Sequence, residues 1–468
     1  MIYIDRKSKT PIYMQIYRCI KNDILSGSYT PHSRLPATRQ LSQDLGVSRN
    51  TVDLAYQQLV LEGYIVSHPG SGYTVEPIPP LAKRIPEKSE TLTVKSQQTD
   101  EQINYDFWYP LLDCNLFPFK TWKKIYNTML YKLSTKKYTA YPPRQGEPRL
   151  QKAIADYLFR SRGVRCSPER VIISCGIQFN LELLLKLFDP THCTVAMEEP
   201  GYDGVRNLLI ANHFPLVPIP VDRDGIQIEK LADCNAGLLY ITPSHQFPTG
   251  AILSVNKRIK VLDWAEQNDA YIIEDDYDSE LRYFSNPIPS LQSFDNNGRV
   301  IYLGTFSKVL LPGLRVSYLV LPERLFERYQ QICGFFLCQV PVINQLVLAE
   351  FINSGHLERH IRRLCHIYGK RQAKFLEAVR LVFGEKMHVL TKDAGLHILA
   401  DVETPLSSTE MEQRAKKYGI RVYSAKMYWM DPAAAPQHQL ILGYGSMHPS
   451  EFEPALRLLY KAWCMDRC

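Results

Sequence analysis

At 468 residues the chain is too long for one small domain, and 45% hydrophobic with 22% charged residues is the mix of a globular protein with a sizeable core. No apolar run reaches the roughly 18–20 residues of a membrane span, the N-terminus lacks a secretory apolar stretch, and eleven cysteines scattered without a CxxC pair fit a reducing cytoplasm rather than a disulfide framework or a zinc site. The net charge of +7 permits a nucleic-acid partner, but residues 1–76 hold eight Lys/Arg against six Asp/Glu, so charge alone does not point there.

In chain order, Pro11 suits a helix start, and Ile12, Ile16, Ile20 and Ile24 recur on one face. Ser26-Gly27-Ser28 ends that helix. A short helix follows from about Ala37 to Leu45, closed by Gly46. Ser48 is a good N-cap for a third helix that buries Val52, Ala55 and Leu59 and stops near Gly63. Tyr64-Ile65-Val66 and Tyr73-Thr74-Val75 flank His68-Pro69-Gly70-Ser71-Gly72, a hairpin with a glycine-rich tip. Helix, helix–turn–helix, hairpin is the order of a winged helix. Its reading helix would present Ser48, Arg49, Asn50 and Thr51. Arg pairs bidentately with guanine and Asn with adenine, while Ser and Thr serve phosphates or bases.

Residues 77–103 are rich in Pro, Lys, Glu, Ser, Thr and Gln, without apolar periodicity, and are expected to form a flexible linker. From about residue 104, short apolar strands such as Val171-Ile172-Ile173, Leu238-Leu239-Tyr240-Ile241, Tyr271-Ile272-Ile273 and Val300-Ile301-Tyr302-Leu303 alternate with helical stretches. That alternation predicts an α/β domain over 104–468 with a mainly parallel sheet, whose ligands lie beyond the carboxyl ends of strands.

The residues behind those strands carry the chemistry. Gly304-Thr305-Phe306-Ser307-Lys308 places a lysine among hydroxyls, where it can form a Schiff base with an aldehyde cofactor. Thr305, Ser307 and Arg315 can hold a phosphate. Gly176, Ile177 and Gln178 open a helix whose backbone N–H groups can receive the same phosphate. Asp275 lies 33 residues before Lys308, one strand–helix–strand unit, and a carboxylate there can keep a pyridine nitrogen protonated. Tyr202, after Glu199-Pro200-Gly201, offers a ring to stack on the cofactor. The basic stretch Arg359-His360-Ile361-Arg362-Arg363 is expected to be a solvated helix face.

Residues 33–75 closely resemble the GntR-type winged helix, in which Arg39 and the wing-tip Gly70 would lie near the DNA backbone and minor groove, with His68 a weaker wing candidate. Many GntR domains place an Arg where this chain has Asp53. Residues 104–468 resemble the fold-type I pyridoxal-phosphate aminotransferases, which implies a large domain with a mainly parallel sheet and a smaller C-terminal subdomain. The whole chain is similar to the MocR family of regulators. That resemblance implies pyridoxal 5'-phosphate bound covalently at Lys308 and Asp275 at the pyridine nitrogen. It places Tyr277 at the ring oxygen, Tyr202 in the stacking position, and Gly176, Ile177, Gln178, Thr305, Ser307 and Arg315 in the phosphate cup. It further implies that Tyr141 serves the partner's phosphate in a domain-swapped, head-to-tail homodimer, and that double-stranded DNA is the partner.

Two departures from the aminotransferases bear on activity. Ile441 stands where those enzymes hold the α-carboxylate with an Arg, and no Arg occurs between Arg421 and Arg457. Phe247 replaces the Asn that bonds the cofactor's ring oxygen. Losing the buried ion-pair partner at position 441 costs on the order of 2–5 kcal/mol of binding. Efficient amino-acid turnover is therefore not expected, while Lys308, Asp275, Arg315 and their neighbours remain to hold the cofactor. The leading expectation is a cytoplasmic regulator that senses pyridoxal phosphate or a small amino compound. The alternatives are an active aminotransferase fused to a DNA-binding domain, and a DNA-binding protein whose large domain only dimerises.

Overall fold

The computed structural model describes residues 2–78, 103–133, 140–283, 288–391 and 394–465. Residues 79–102, most of the expected linker, lie outside them. Contacts divide the chain into two units, Met1–Thr99 and Asp100–Cys468.

In the first unit, α1 (Ile12–Leu25) buries Ile16, Tyr17, Ile20 and Ile24, with Pro11 at its cap rather than inside it. Helix α2 (Thr38–Leu45) ends at Gly46, whose φ of 60° is the left-handed conformation that glycine adopts without strain. Helix α3 (Arg49–Leu61) starts from Ser48, whose side chain accepts from the Thr51 N–H. Strands β1 (Ile65–His68) and β2 (Gly72–Val75) pair antiparallel. Ile16, Ile20, Val52, Ala55, Leu59, Ile65 and Val75 close one core across all these elements except α2, which adds Leu41.

The second unit opens with β3 (Tyr105–Asp106), followed by α4 (Phe119–Leu133) and α5 (Pro148–Arg162). Its large sheet contains β4 (Val171–Ser174), β5 (Val195–Glu199), β6 (Leu216–Asp222), β7 (Gly225–Ile226), β8 (Leu238–Ile241), β9 (Tyr271–Asp276), β10 (Val300–Thr305) and β11 (Ser317–Val320). The eight strands run in the order β4-β11-β10-β9-β8-β5-β6-β7. Strands β11 and β7 are antiparallel to their neighbours, and the central pairs β10/β9, β9/β8, β8/β5 and β5/β6 are parallel. Both faces are covered, which explains the continuous apolar runs. Val171 and Ile173 pack with Leu150 and Ile154 of α5 on one face, and Ile172 with Leu184 of α6 (Ile177–Leu185) on the other.

A smaller C-terminal subdomain contains β12 (Met387–Val389), β13 (His397–Val402), β14 (Ile420–Arg421), β15 (Tyr423–Ser424) and β16 (Gln439–Gly443). Four of these form an antiparallel sheet in the order β12-β13-β16-β15, while β14 pairs with β3 at the start of the unit. Phe107, Phe375, Ile398, Leu442 and Phe452 share its core. In the helix His356–Phe383, Arg359, Arg362 and Arg363 are exposed, but His360 is buried against the Val309 carbonyl at 2.8 Å. That basic stretch is one solvated face of an amphipathic helix. No helix among the described residues is long and apolar enough to cross a membrane.

Candidate cofactor site and DNA-reading helix

Strands β8, β9 and β10 end beside one another, so chemistry separated by tens of residues converges at their carboxyl edge. Asp275 sits at the end of β9, buried at 4% exposure. Its Oδ2 accepts from Tyr240 Oη of β8 at 2.5 Å, while Oδ1 has no hydrogen-bond partner among the described residues. Burial pushes this carboxyl up to about 7, against the lowering effect of the Tyr240 bond. Lys308 follows β10. Burial lowers its ammonium to about 8, opposed by the negative charge of Asp278, and Nζ lies 3.7 Å from the centre of the Tyr109 ring.

The residues expected to form a phosphate cup come from three connections. Thr305 Oγ1 donates to Ser307 Oγ at 2.9 Å, and the Ser307 N–H returns to Thr305 Oγ1 at 3.1 Å. Arg315 donates to the Cys175 carbonyl at 2.7 Å, lying against Gly176. Gly176, at φ 124°, caps α6, so that Ile177 and Gln178 open the helix with their N–H groups at its positive end. A Cβ on Gly176 would come within 2.2 Å of Arg315 Nη2, so only glycine lets the guanidinium and this backbone lie together. Behind them Ser317 Oγ accepts from the Gly176 N–H at 2.8 Å and from Asn180 at 3.0 Å.

Tyr202 caps the next helix, edge-on to Phe247 with ring centres 5.9 Å apart, and the charges of both Asp275 and Arg315 reach its hydroxyl. The structure thus brings Lys308, Asp275, Tyr277, Tyr202, Thr305, Ser307, Arg315 and Gly176-Ile177-Gln178 to one region. Tyr141 is not brought there within this chain; it is 85% exposed. Phe247 and Ile441 join Tyr109, Leu399 and Tyr428 in one apolar cluster, so no cation stands at either position.

Sequence reasoning missed several residues. Tyr240 is read from the sequence only as a strand residue, and Tyr109, His245 and Asp278 are given no individual role there, yet all four reach the site. Arg162, 3% exposed, forms an ion pair at 2.8 Å with Asp276 and bonds Ser244 at 2.6 Å, tying α5 to the ends of β9 and the loop after β8. Buried Arg258 holds that loop through the carbonyls of Pro243 and Leu253. A basic residue inside an apolar helical pattern was the available signal for both.

In the first unit, Ser48 Oγ caps α3 by accepting from the Thr51 N–H at 3.2 Å, and it lies 2.7 Å from Thr51 Oγ1. Arg49 is 67% exposed and pairs with Asp53 one turn on, at 3.6 Å. Arg39 and Asn50 are exposed, and Gly70 occupies the hairpin tip at φ 79°. His68 bonds Thr74 across the hairpin at 2.8 Å and so belongs to the wing's own structure.

Two family models match: residues 12–75 match the bacterial regulatory proteins of the gntR family, and residues 110–426 match aminotransferase class I and II. The probable rhizopine catabolism regulatory protein MocR of Rhizobium meliloti is 34% identical over 99% of this chain and 96% of its own. The chain belongs to the MocR family of regulators. The HTH-type pyridoxine biosynthesis transcriptional regulator PdxR of Corynebacterium glutamicum is 32% identical over 95% of this chain and 94% of its own. The solved structure of the multiple substrate aminotransferase from Thermococcus profundus superposes with a TM-score of 0.69 at 25% identity, covering 77% of this chain and 91% of that one.

This MocR-family chain is therefore a DNA-binding transcription regulator whose large unit takes pyridoxal phosphate as cofactor. The residues present fit that group. The unpartnered Asp275 Oδ1 suits a protonated pyridine nitrogen, whose positive charge would relieve the cost of burying the carboxylate. The crowded Gly176–Arg315 approach beside the mouth of α6 suits a phosphate.

Proposed function

We propose that the large unit of this MocR-family regulator serves as a sensor, and that its loading with pyridoxal phosphate alters how the winged helices hold DNA. In this reading Lys308 binds the cofactor covalently and Asp275 keeps its pyridine nitrogen protonated. Tyr277 meets its ring oxygen, Tyr202 stacks on it, and Gly176, Ile177, Gln178, Thr305, Ser307 and Arg315 hold its phosphate. The cofactor supplies an aldehyde carbon for the lysine and a visible absorbance that reports attachment. Arg39, Ser48, Arg49, Asn50, Thr51 and Gly70 contact DNA. A homodimer, with Tyr141 completing the partner's phosphate site, would present two winged helices to two half-sites, in the cytoplasm where the chromosome lies.

The single observation that carries the sensing reading is the apolar cluster of Phe247, Ile441, Tyr109, Leu399 and Tyr428 beside Lys308. A carboxylated amine needs a cation to hold its carboxylate in a buried site, and the first cation after Tyr202, Arg206, already donates through Nη2 to the Met427 carbonyl at 2.7 Å and acts on the Glu199 carboxylate. The cofactor itself, or an amino compound without a carboxylate, needs none. The name of the pyridoxine biosynthesis regulator among the relatives agrees with cofactor sensing.

A ligand shifts an equilibrium only through a difference in affinity for the two states. Footprinting apo and cofactor-loaded protein on the same promoter tests the proposal. Different affinities or footprints are expected. Identical ones, with a change only after an amino compound is added, would transfer the signal to that compound.

A further inference from the structure

Tyr277 does not meet the site alone. His245, from the loop after β8, stacks on its ring with centres 6.1 Å apart and an interplanar angle of 26°. His245 Nδ1 lies 3.1 Å from Tyr277 Oη, and 3.1 and 2.9 Å from Oδ1 and Oδ2 of Asp278. His245 and Asp278 are 3% and 2% exposed. A buried carboxylate facing a ring nitrogen requires a hydrogen on that nitrogen, because two lone pairs at this distance repel. Nδ1 is therefore a donor, directed at Asp278 and shared with the phenolic oxygen. It then cannot accept a hydrogen from Tyr277, so the Tyr277 O–H must point elsewhere.

We propose that His245 and Asp278 are a positioning pair that turns the Tyr277 hydroxyl into a donor toward the cofactor's ring oxygen and thereby sets the protonation of the Lys308 linkage. The proposal rests on the cofactor reading above. A second observation supports it. The neighbouring aromatic Phe247 meets Tyr277 edge-on, with centres 6.1 Å apart, and has no hydrogen to donate. One donor to the ring oxygen then has to be well aimed. Asp278 also contributes directly, since its charge favours the protonated form of Lys308.

The other titratable groups facing this cluster are Tyr109, Tyr240, Tyr283, Tyr444, Asp275 and His397. Burial holds His397 down at about 3, so it stays neutral through the working range. The tyrosines are pushed up and stay protonated. Asp275 would be matched by the pyridine nitrogen.

Full-length protein loaded with pyridoxal phosphate is titrated while its visible band is followed. A donor on the ring oxygen competes for the lone pair that otherwise helps hold the linkage proton, and a nearby anion favours that proton. His245→Phe removes the aiming hydrogen and should move the midpoint up by about one pH unit. His245→Asn keeps an N–H at the Nδ1 position and should stay within a few tenths of a unit of the parent. Asp278→Asn preserves the acceptor but removes the charge, and should move the midpoint down. A parent-like His245→Phe, a His245→Asn that behaves as His245→Phe does, or an Asp278→Asn shift upward overturns the proposal. If His245→Phe fails to hold cofactor, the other two variants decide by the same criteria. Absence of any visible band in the parent overturns the cofactor reading and this inference with it.

Discussion

Tyr240 and Asp275 are joined by a hydrogen bond of 2.5 Å that uses only one of the two carboxylate oxygens. The other is buried and unpartnered among the described residues, an arrangement that stays costly until a cation or donor arrives. Asp275→Asn should weaken pyridoxal phosphate binding by roughly 2–5 kcal/mol, the cost of removing one partner of a buried charge pair. Equilibrium dialysis of the apo variant against the cofactor measures this. Tyr240→Phe should fall between the variant and the parent, because it frees Oδ2 without removing the charge.

Lys308 attacks an aldehyde only as the neutral amine. Burial lowers its ammonium to about 8, so a useful neutral fraction exists near physiological pH. The rate of cofactor attachment to apo protein should climb as pH rises and level off above about 8, rather than continuing toward the ordinary lysine value of 10.5. Stopped-flow absorbance reads this directly. Borohydride reduction and peptide mapping should place the label on the peptide containing Lys308, and a label elsewhere would reject the assignment.

Arg49 is held by Asp53 at 3.6 Å on an exposed helix face, where such a pair contributes about 0.3–0.5 kcal/mol and is easily exchanged for a base. Arg49→Ala should reduce discrimination between operator and random DNA by about 1–3 kcal/mol if it reads a base. A phosphate contact would instead weaken both alike and flatten the salt dependence. The cofactor spectrum should not change, because the substitution lies in the other unit. Gel-shift titrations at two salt concentrations separate these outcomes, and unchanged operator affinity would remove the role.

Arg162 and Asp276 form a buried pair at 2.8 Å. Removing one partner leaves an uncompensated charge, so Arg162→Met should destabilise the large unit by about 3–5 kcal/mol. Changing both to apolar residues should recover much of that loss. Chemical denaturation of the single and double variants, followed by intrinsic fluorescence, tests the expectation.

Much of the fold was legible because its signals are local. The recurrence of Ile12, Ile16, Ile20 and Ile24, the Ser48 cap and the glycines at 46 and 70 each act over a few residues, and each appears where the spacing places it. The apolar parts of β9 and β10 were equally legible, but both strands run past Ile273 and Leu303, where the apolar runs stop, to Asp276 and Thr305, because their backbone ladder continues whatever the side-chain polarity. Pro11 differed by one position, standing at the cap rather than inside the helix, because a fixed φ of −55° serves either place.

The order of residues along the chain by itself determined the two kinds of unit, the lysine and carboxylate proposed to hold the cofactor, and the absence of a cation at Ile441. Only the tertiary structure decided what surrounds them. The β4-β11-β10-β9-β8-β5 order is not the chain order, so neighbours in space are far apart in sequence. Tyr109 reaches Lys308, Arg162 reaches Asp276 and His245 reaches Asp278 across such gaps. A lone His or Arg in a loop or helix carries no mark of its future partner. The partner is chosen when burial in a low-dielectric interior makes an unpaired polar group too costly to leave alone.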